Sequence, residues 1–248
     1  MIQTKSDSKV VAILQDRIQL ITQDQGAIYL VGPINLPVNL NGETVKFKWY
    51  SWIKRDEIIE DDEELINQLT FDNLAEFQQS SVLVYGDFEG DDDALIRFHS
   101  ICHTGDIFGS KRCDCGYQLN QSIKKIVEHG TGALFYLANH EGRGIGLFSK
   151  AMAYILQEHD YDTVEANEAL GFDDDVRSYS DAIEVLKSLR HKSITLMTNN
   201  PKKIAALKYA GLPVSRRVML WGDRSEFNEE YLETKVNRSG HIREEELS

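Results

Sequence analysis

Long apolar runs are missing from this chain of 248 residues. No stretch approaches the roughly 18 uninterrupted apolar residues that a membrane span needs, so membrane spanning is not expected. The opening, Met1 to Lys9, is polar and leads into no apolar core with a small-residue cleavage site. That sets aside a secretory signal and makes the cytoplasm the expected compartment.

Positive charge is also short, with 27 Lys and Arg against 40 Asp and Glu, a net of -13 and a pI near 5.0. A broad basic surface for nucleic acid is therefore excluded. The deficit is local, however. Residues 56 to 93 hold 14 acidic and no basic side chains, whereas residues 94 to 217 come out at +2. An anionic small molecule remains compatible with that long middle.

Cysteine is the third scarcity: three in all, every one between Cys102 and Cys115. An odd, clustered set in a chain without an export signal is a poor disulfide framework and a better metal or redox candidate. Three thiolates brought together by the Gly-containing loop can occupy three corners of a tetrahedral zinc. Catalytic zinc keeps its fourth position for water, whereas structural zinc closes it with a protein ligand. Spacing leaves three readings open: an open catalytic site, a closed site with His99 or His103 as fourth ligand, or three unliganded core cysteines.

What is present reads as mixed α/β. Val10 to Leu14, Ile18 to Ile21 and Ala27 to Val31 are β-branched runs expected as strands. Gly32-Pro33 and Leu36-Pro37 punctuate, Asn41-Gly42 predicts a hairpin turn, and Val45 to Ile53 alternates in strand fashion. An acidic loop over Asp56 to Glu64 should lead into a helix around Leu65 to Phe77. Val82 to Tyr85, Leu95 to His99, Ala133 to Leu137, Ser193 to Met197 and Val214 to Leu220 read as strands. Between them Gln118 to Glu128, Leu147 to Glu158, Ser180 to Leu189 and Pro201 to Ala210 have helical periodicity. The polar stretch after Asp223 is expected to fray. The expected fold is α/β (α+β), a mixed sheet covered by helices, divided into a strand-rich region 1-80, a denser mixed α/β domain 81-242 and a polar tail 243-248.

The stretch RFHSICHTGDIFGSKRCDCGYQL, Arg97 to Leu119, resembles the zinc-binding signature of the GTP cyclohydrolase II family. The likeness continues through HEGRGIGL (His140 to Leu147), AYILQ (Ala153 to Gln157), YDTVEAN (Tyr161 to Asn167), LGFDDDVR (Leu170 to Arg177) and TNNPKK (Thr198 to Lys203). It ends in EEYLETKVNRSGHI (Glu229 to Ile242), so about 82 to 242 is covered and residues 1 to 80 are not, which implies that the domain 81-242 is the catalytic one.

The resemblance implies that Cys102, Cys113 and Cys115 ligate zinc, and that the imidazole ring of GTP is opened at C8 with release of formate and pyrophosphate. It places Tyr154 in the ring chemistry, Asp175 as proton acceptor, and Arg177 as nucleophile or phosphate-activating group. A guanidinium stays protonated, so Arg177 is chemically easier to accept as a charge clamp. Arg97, His99, Gln118, Glu141, Gly142, Arg143, Thr163, Thr198 and Lys203 match substrate contacts. Mg2+ with the triphosphate and a homodimer are also implied. TNNPKK has an independent rationale, because a helix opened by Pro201 offers free N-H groups to an anion. Two positions depart from the pattern: Ile101 where an acidic residue is expected and Ala138 where an arginine is expected. With the unmatched amino-terminal region they motivate a relative acting on another nucleotide or base, as in uracil catabolism; a paralogue that keeps zinc and binds a nucleotide without turnover is a further alternative.

Overall fold

The computed structural model describes residues 8-69, 72-76 and 79-242. A short helix, α1 (Ser8–Leu14), precedes an antiparallel meander of β1 (Ile18–Thr22), β2 (Ala27–Leu40) and β3 (Glu43–Arg55). Then come α2 (Asp62–Leu69), β4 (Ser80–Tyr85), β5 (Leu95–Ser100), α3 (Cys115–His129) and β6 (Gly132–Leu137). After β6 the chain forms α4 (Leu147–Gln157), α5 (Thr163–Ala169), α6 (Ser180–Leu189), β7 (Ile194–Met197), α7 (Pro201–Tyr209), β8 (Val214–Val218) and α8 (Glu229–Asn237). All eight strands form one sheet in the order β1-β2-β3-β4-β6-β5-β7-β8. The half from β1 to β6 is antiparallel, and β6, β5, β7 and β8 run parallel. Mixed α/β architecture is thus as expected from the alternation of elements.

Side-chain alternation decides what each face of the sheet carries. Ile96 and Phe98 of β5 join Phe135, Ile183, Leu186 and Leu207 in the larger core under α6 and α7. The Phe98 and Phe135 rings pack 4.9 Å apart. Leu95 turns the other way, to Leu134 and Ile126 beneath α3. By the same period Arg97 and His99 fall on the α3 side, which delivers two polar side chains to one end of a buried strand. Trp52 of β3 belongs to the larger core, and β3 hydrogen-bonds β4 directly, so residues 18 to 55 extend the same sheet.

Four expectations need correction. Val10 to Leu14 is helical, because only Val11 is buried while Val10 and Ile13 face out, a one-sided pattern that suits a helix turn. Pro33 and Pro37 do not end β2, which runs through both with a register shift between Val31 and Ile34. β1 pairs only Ala27 to Val31, so beyond that point one side of β2 is an open edge and a missing N-H costs no ladder bond. The helix expected over Leu65 to Phe77 begins earlier and is described over Asp62–Leu69, with a 3-10 turn at Leu74–Glu76; part of the expected span, 70-71 and 77, lies outside the described residues. Finally, the stretch after Asp223 holds α8, and α5 is a helix that periodicity did not single out. The tail 243-248 lies outside the described residues. No helix among the described residues is long and apolar enough to cross a membrane.

Candidate functional site

In an open parallel sheet the ligand crevice lies beyond the carboxyl ends of the strands. Here Ser100 ends β5 and Cys102 follows it, His140 to Arg143 follow β6, Thr198 to Asn200 follow β7 and Leu220 follows β8, and all line one cleft. The acidic Asp87 to Asp93 turn precedes β5, so it sits at the other end of the strand, about 17 Å away for six residues at extended rise. Buried Arg190 holds that turn in place through the carbonyls of Phe88 and Asp91, the latter at 2.9 Å. The cleft itself is lined by seven cationic side chains, Arg97, Arg112, Arg143, Lys150, Arg177, Lys203 and Lys235, against one carboxylate, Glu141. The net acidity of the chain and a cation-lined cleft therefore coexist by separation along the strands.

The three cysteines converge. Their sulfurs lie within 4.8 Å of one another, and Cys102 and Cys113 are 3.5 Å apart. With metal-sulfur bonds of about 2.3 Å, a tetrahedral zinc would set its thiolates roughly 3.8 Å apart. The spacing fits. Gly105, in the single π-helical turn His103–Ile107, leaves the necessary room: a Cβ there would lie 2.9 Å from the Cys113 sulfur and 3.2 Å from that of Cys102. Among the described residues no fourth His, Cys, Asp or Glu joins the group. His99 is engaged elsewhere, with its Nε2 3.0 Å from Asp106 Oδ2, and His103 packs edge-on against Phe108. Asp106 also accepts from the Cys102 amide at 3.0 Å and from the Tyr136 hydroxyl at 3.0 Å, which fixes the loop that carries the first ligand. Among the three thiols, hydrogen bonds from Cys113 and Cys115, together with the Lys150 ammonium, hold Cys102 well below the ordinary thiol range. The hydrogen bond with Cys102, helped by burial, pushes Cys113 up, to about 11.

Helix α4 presents Lys150, Ala153, Tyr154 and Gln157 to the cleft, positions i, i+3, i+4 and i+7 of one face. Lys150 Nζ is 3.2 Å from the Cys102 sulfur and 2.5 Å from Glu141 Oε1. Glu141 Oε2 accepts from the His103 amide at 2.7 Å, so this buried carboxylate ties the loop after β6 to the cysteine loop. The Tyr154 hydroxyl is 3.3 Å from Thr104 Oγ1, which lies 3.7 Å from the Cys102 sulfur. Arg112 covers the Tyr154 ring at 4.2 Å. Burial raises the Tyr154 hydroxyl, so it stays protonated at neutral pH.

At the other end of the cleft, Arg177 grips Asp175 through Nε at 2.7 Å and Nη2 at 2.9 Å. Burial alone would raise the Asp175 carboxyl, but the Arg177 fork and Lys202 at 3.2 Å outweigh it and hold the group well below the carboxylate range. Asp175 itself is behind Arg177 rather than in the cleft wall. Arg143 has φ 64 and flanking Gly142 and Gly144 have φ 60 and 98, a left-handed run that brings the glycine-rich loop onto residues 174 to 176. Arg143 pairs with Asp174, and its carbonyl accepts from the Val176 amide at 3.2 Å. Asn200 caps α7 through the Lys202 amide at 2.8 Å, with Pro201 in the first turn. Lys203 Nζ donates to the Phe98 carbonyl at 2.6 Å. Burial, and then the fields of Arg97, Arg177 and Lys235, push Lys203 well below the usual lysine range. His241 is pushed down to about 3 by burial and then by the fields of Lys235, Lys203, Arg177 and Arg143. Arg112, Arg143, Lys150, Arg177 and Lys235 each pair with a carboxylate, whereas buried Arg97 and Lys203 bond only uncharged groups, which marks their end of the cleft as a place shaped for an anion.

Of the residues singled out in the sequence, Cys102, Cys113, Cys115, Arg97, His99, Gln118, Glu141, Gly142, Arg143, Tyr154, Thr163, Arg177, Thr198 and Lys203 all line this cleft. Two are more occupied than expected. Gln118 accepts from Arg97 at 2.6 Å and donates to Asp114 at 2.6 Å, and both Glu141 oxygens are engaged by the chain. Ile101 lines the cleft. Ala138 does not; its amide donates to Ser80 Oγ at 3.1 Å. Sequence reasoning passed over Lys150, Asp114, Tyr231, Lys235, His140 and His241. For Lys150 a signal existed, since it stands one helical turn before Tyr154 on the same face.

Fold and site together define an α/β protein with a three-cysteine centre opening into a cation-lined cleft. Residues 62–219 match the sequence model of GTP cyclohydrolase II. The chain belongs to that family. Among similar proteins, GTP cyclohydrolase-2 of Colwellia psychrerythraea is 48% identical over 165 residues, which is 66% of this chain and 81% of that protein. The riboflavin biosynthesis protein RibBA of Bacillus subtilis is 48% identical over 173 residues, 69% of this chain and 43% of that protein. RibBA of Bacillus cereus matches over 172 residues at 48% identity, again 43% of its length. The chain therefore spans less than half of the RibBA proteins it matches.

Proposed function

We propose that the protein is a cytoplasmic hydrolase of riboflavin biosynthesis. It would open the guanine imidazole ring of GTP and release formate and pyrophosphate, leaving 2,5-diamino-6-(5-phosphoribosylamino)pyrimidin-4(3H)-one. The observation that carries this reading is the meeting, in one cleft, of three cysteine sulfurs with the buried cations Arg97 and Lys203, whose hydrogen-bond partners are uncharged, beside Arg143 and Arg177. Family membership supplies the reaction that needs both.

Cys102, Cys113 and Cys115 would hold zinc, which when bound supplies a polarised water as nucleophile near neutral pH. Tyr154, protonated and hydrogen-bonded to Thr104, is placed to donate a proton as the ring opens. Arg177, kept protonated and aimed by Asp175, acts as a charge clamp at the α-phosphate, and Asp175 serves by orienting that guanidinium. Arg97, Arg143, Lys203, Thr198 and Thr163 bind phosphate and sugar oxygens, with Mg2+ carried by the triphosphate. His99 and Gly142 border the nucleotide, while Gln118 and Glu141 act by orienting Arg97 and Lys150. The functional unit is a homodimer, and nucleic acid is not a partner.

Purified protein incubated with GTP, Mg2+ and Zn2+ tests this directly. Formate appearing together with pyrophosphate is the expected outcome. Turnover of uracil nucleotides but not GTP would reassign the substrate, and nucleotide binding without turnover would make the chain a binding module.

A further inference from the structure

Beyond the matched residues 62–219, α8 reaches back onto the cysteine loop. Lys235 Nζ donates to Asp114 Oδ1 at 2.6 Å, and Asp114 stands between Cys113 and Cys115. The second oxygen of Asp114 accepts from Gln118 Nε2 at 2.6 Å and from the Gly222 amide at 3.2 Å. Gln118 Oε1 in turn accepts from Arg97 Nη2 at 2.6 Å. Lys235, Asp114, Gln118 and Arg97 are all buried, so one unbroken chain of hydrogen bonds runs from α8, past two sulfurs, to a cation of the cleft. One turn earlier, Tyr231 lays its ring 4.3 Å from Lys235 Nζ and its hydroxyl 3.8 Å from the Cys115 sulfur. Past the helix, the Ile242 amide donates to the Asn199 carbonyl at 3.0 Å, which returns the segment to the cleft.

We propose that Lys235 is a positioning residue that sets the Cys113-Cys115 turn and Arg97 together, so that metal centre and anion cleft are assembled as one unit. The inference rests on the zinc reading above. Its physical content is the buried Asp114 carboxylate, which Lys235 charge-compensates and holds in one rotamer. Without Lys235 that carboxylate keeps only the Gln118 and Gly222 donors. It then swings, taking with it the backbone between the two cysteines and the amide that orients Arg97.

Lys235→Met should release zinc to a chelator about 10-100-fold faster, the range seen when partners of metal ligands are removed. It should also raise KM for GTP and alter the thiolate charge-transfer band of the cobalt-substituted protein. Lys235→Arg should restore most of each property. Asp114→Asn should resemble Lys235→Met, and the double variant should be no worse than the more severe single one. Arg224→Gln, which breaks an exposed pair with Glu229 on the outer side of α8, should change none of these. Should Lys235→Met not fold, Lys235→Gln, which keeps a donor without the charge, carries the same comparison. Unchanged zinc release and cobalt spectrum in the Lys235 variants, in a wild-type protein that binds zinc, would overturn the inference. Fully additive effects of Lys235 and Asp114 would do the same. A wild-type protein that takes up no metal overturns the zinc reading first, and this inference with it.

Discussion

Lys150 Nζ lies 3.2 Å from the Cys102 sulfur while its other close partner, Glu141 Oε1, is 2.5 Å away. One buried ammonium thus joins a metal-type ligand to the loop after β6. Lys150→Met removes the sulfur's hydrogen bond and strands a carboxylate whose side chain is 2% exposed. Breaking one partner of a buried pair costs about 3-5 kcal/mol, which for a chain of this size is a fall in Tm on the order of 10 °C. Calorimetry together with zinc titration should show both the lower Tm and weaker zinc binding. An unchanged Tm would mean that Glu141 does not depend on Lys150.

Gly105 makes a sharper test of the cysteine centre because it packs against the sulfurs and offers no ligand atom of its own. A methyl group at that position meets the Cys113 and Cys102 sulfurs at 2.9 and 3.2 Å. Gly105→Ala should retain its circular dichroism spectrum and weaken zinc binding at least about tenfold, the scale of disturbed metal surroundings. Wild-type affinity in this variant would show that the sulfurs can separate at no cost.

The crowding around Lys203 has a consequence for proton uptake. Its ammonium is disfavoured by burial and by Arg97, Arg177 and Lys235, so its proton is held more weakly than that of a free lysine. A bound polyanion favours the charged form and raises the pKa, so binding must take up protons as pH rises through the depressed value. Calorimetric titration of pyrophosphate in buffers of different ionisation enthalpy should report net uptake at alkaline pH, reduced in Lys203→Met. Proton release in the same range is the contrary result.

Asp175 carries the opposite sign. Its folded pKa is depressed, so the pair with Arg177 adds stability that is fully present above the unfolded carboxylate value of about 3.9 and is lost as pH falls through the folded value. Asp175→Asn should therefore be less stable than wild type from pH 5 to 8 and converge with it under strong acid. Denaturation curves that stay parallel across that range would remove the ion pair from the stability of the loop.

Much of the sheet was legible because its signals are local. Asn41-Gly42 marks the β2-β3 turn, and the buried runs of β5 and β6 stand out between helices. The three cysteines announce a metal-type centre by composition alone. What escaped was set by distant partners. α8 reads as a polar tail, since Lys235 is buried against a carboxylate 121 positions earlier. Gln118 and Glu141 fall in the cleft as the motifs suggest, yet their hydrogen bonds are spent on Arg97, Asp114, Lys150 and the His103 amide, a division of labour that only geometry shows. Val10 to Leu14 misleads for the converse reason: its β-branched run is real, but a single buried residue makes it one-sided.

The proposed reaction opens guanine at C8 and then hydrolyses the resulting formamide, releasing that carbon as formate. GTP labelled with carbon-13 at C8, followed by NMR in the presence of Mg2+ and Zn2+, should move its label into formate in step with pyrophosphate release. Cys113→Ser should leave the label in the purine. Label retained by the zinc-loaded wild-type protein, or formate still released by Cys113→Ser, would contradict a three-thiolate centre that opens the ring.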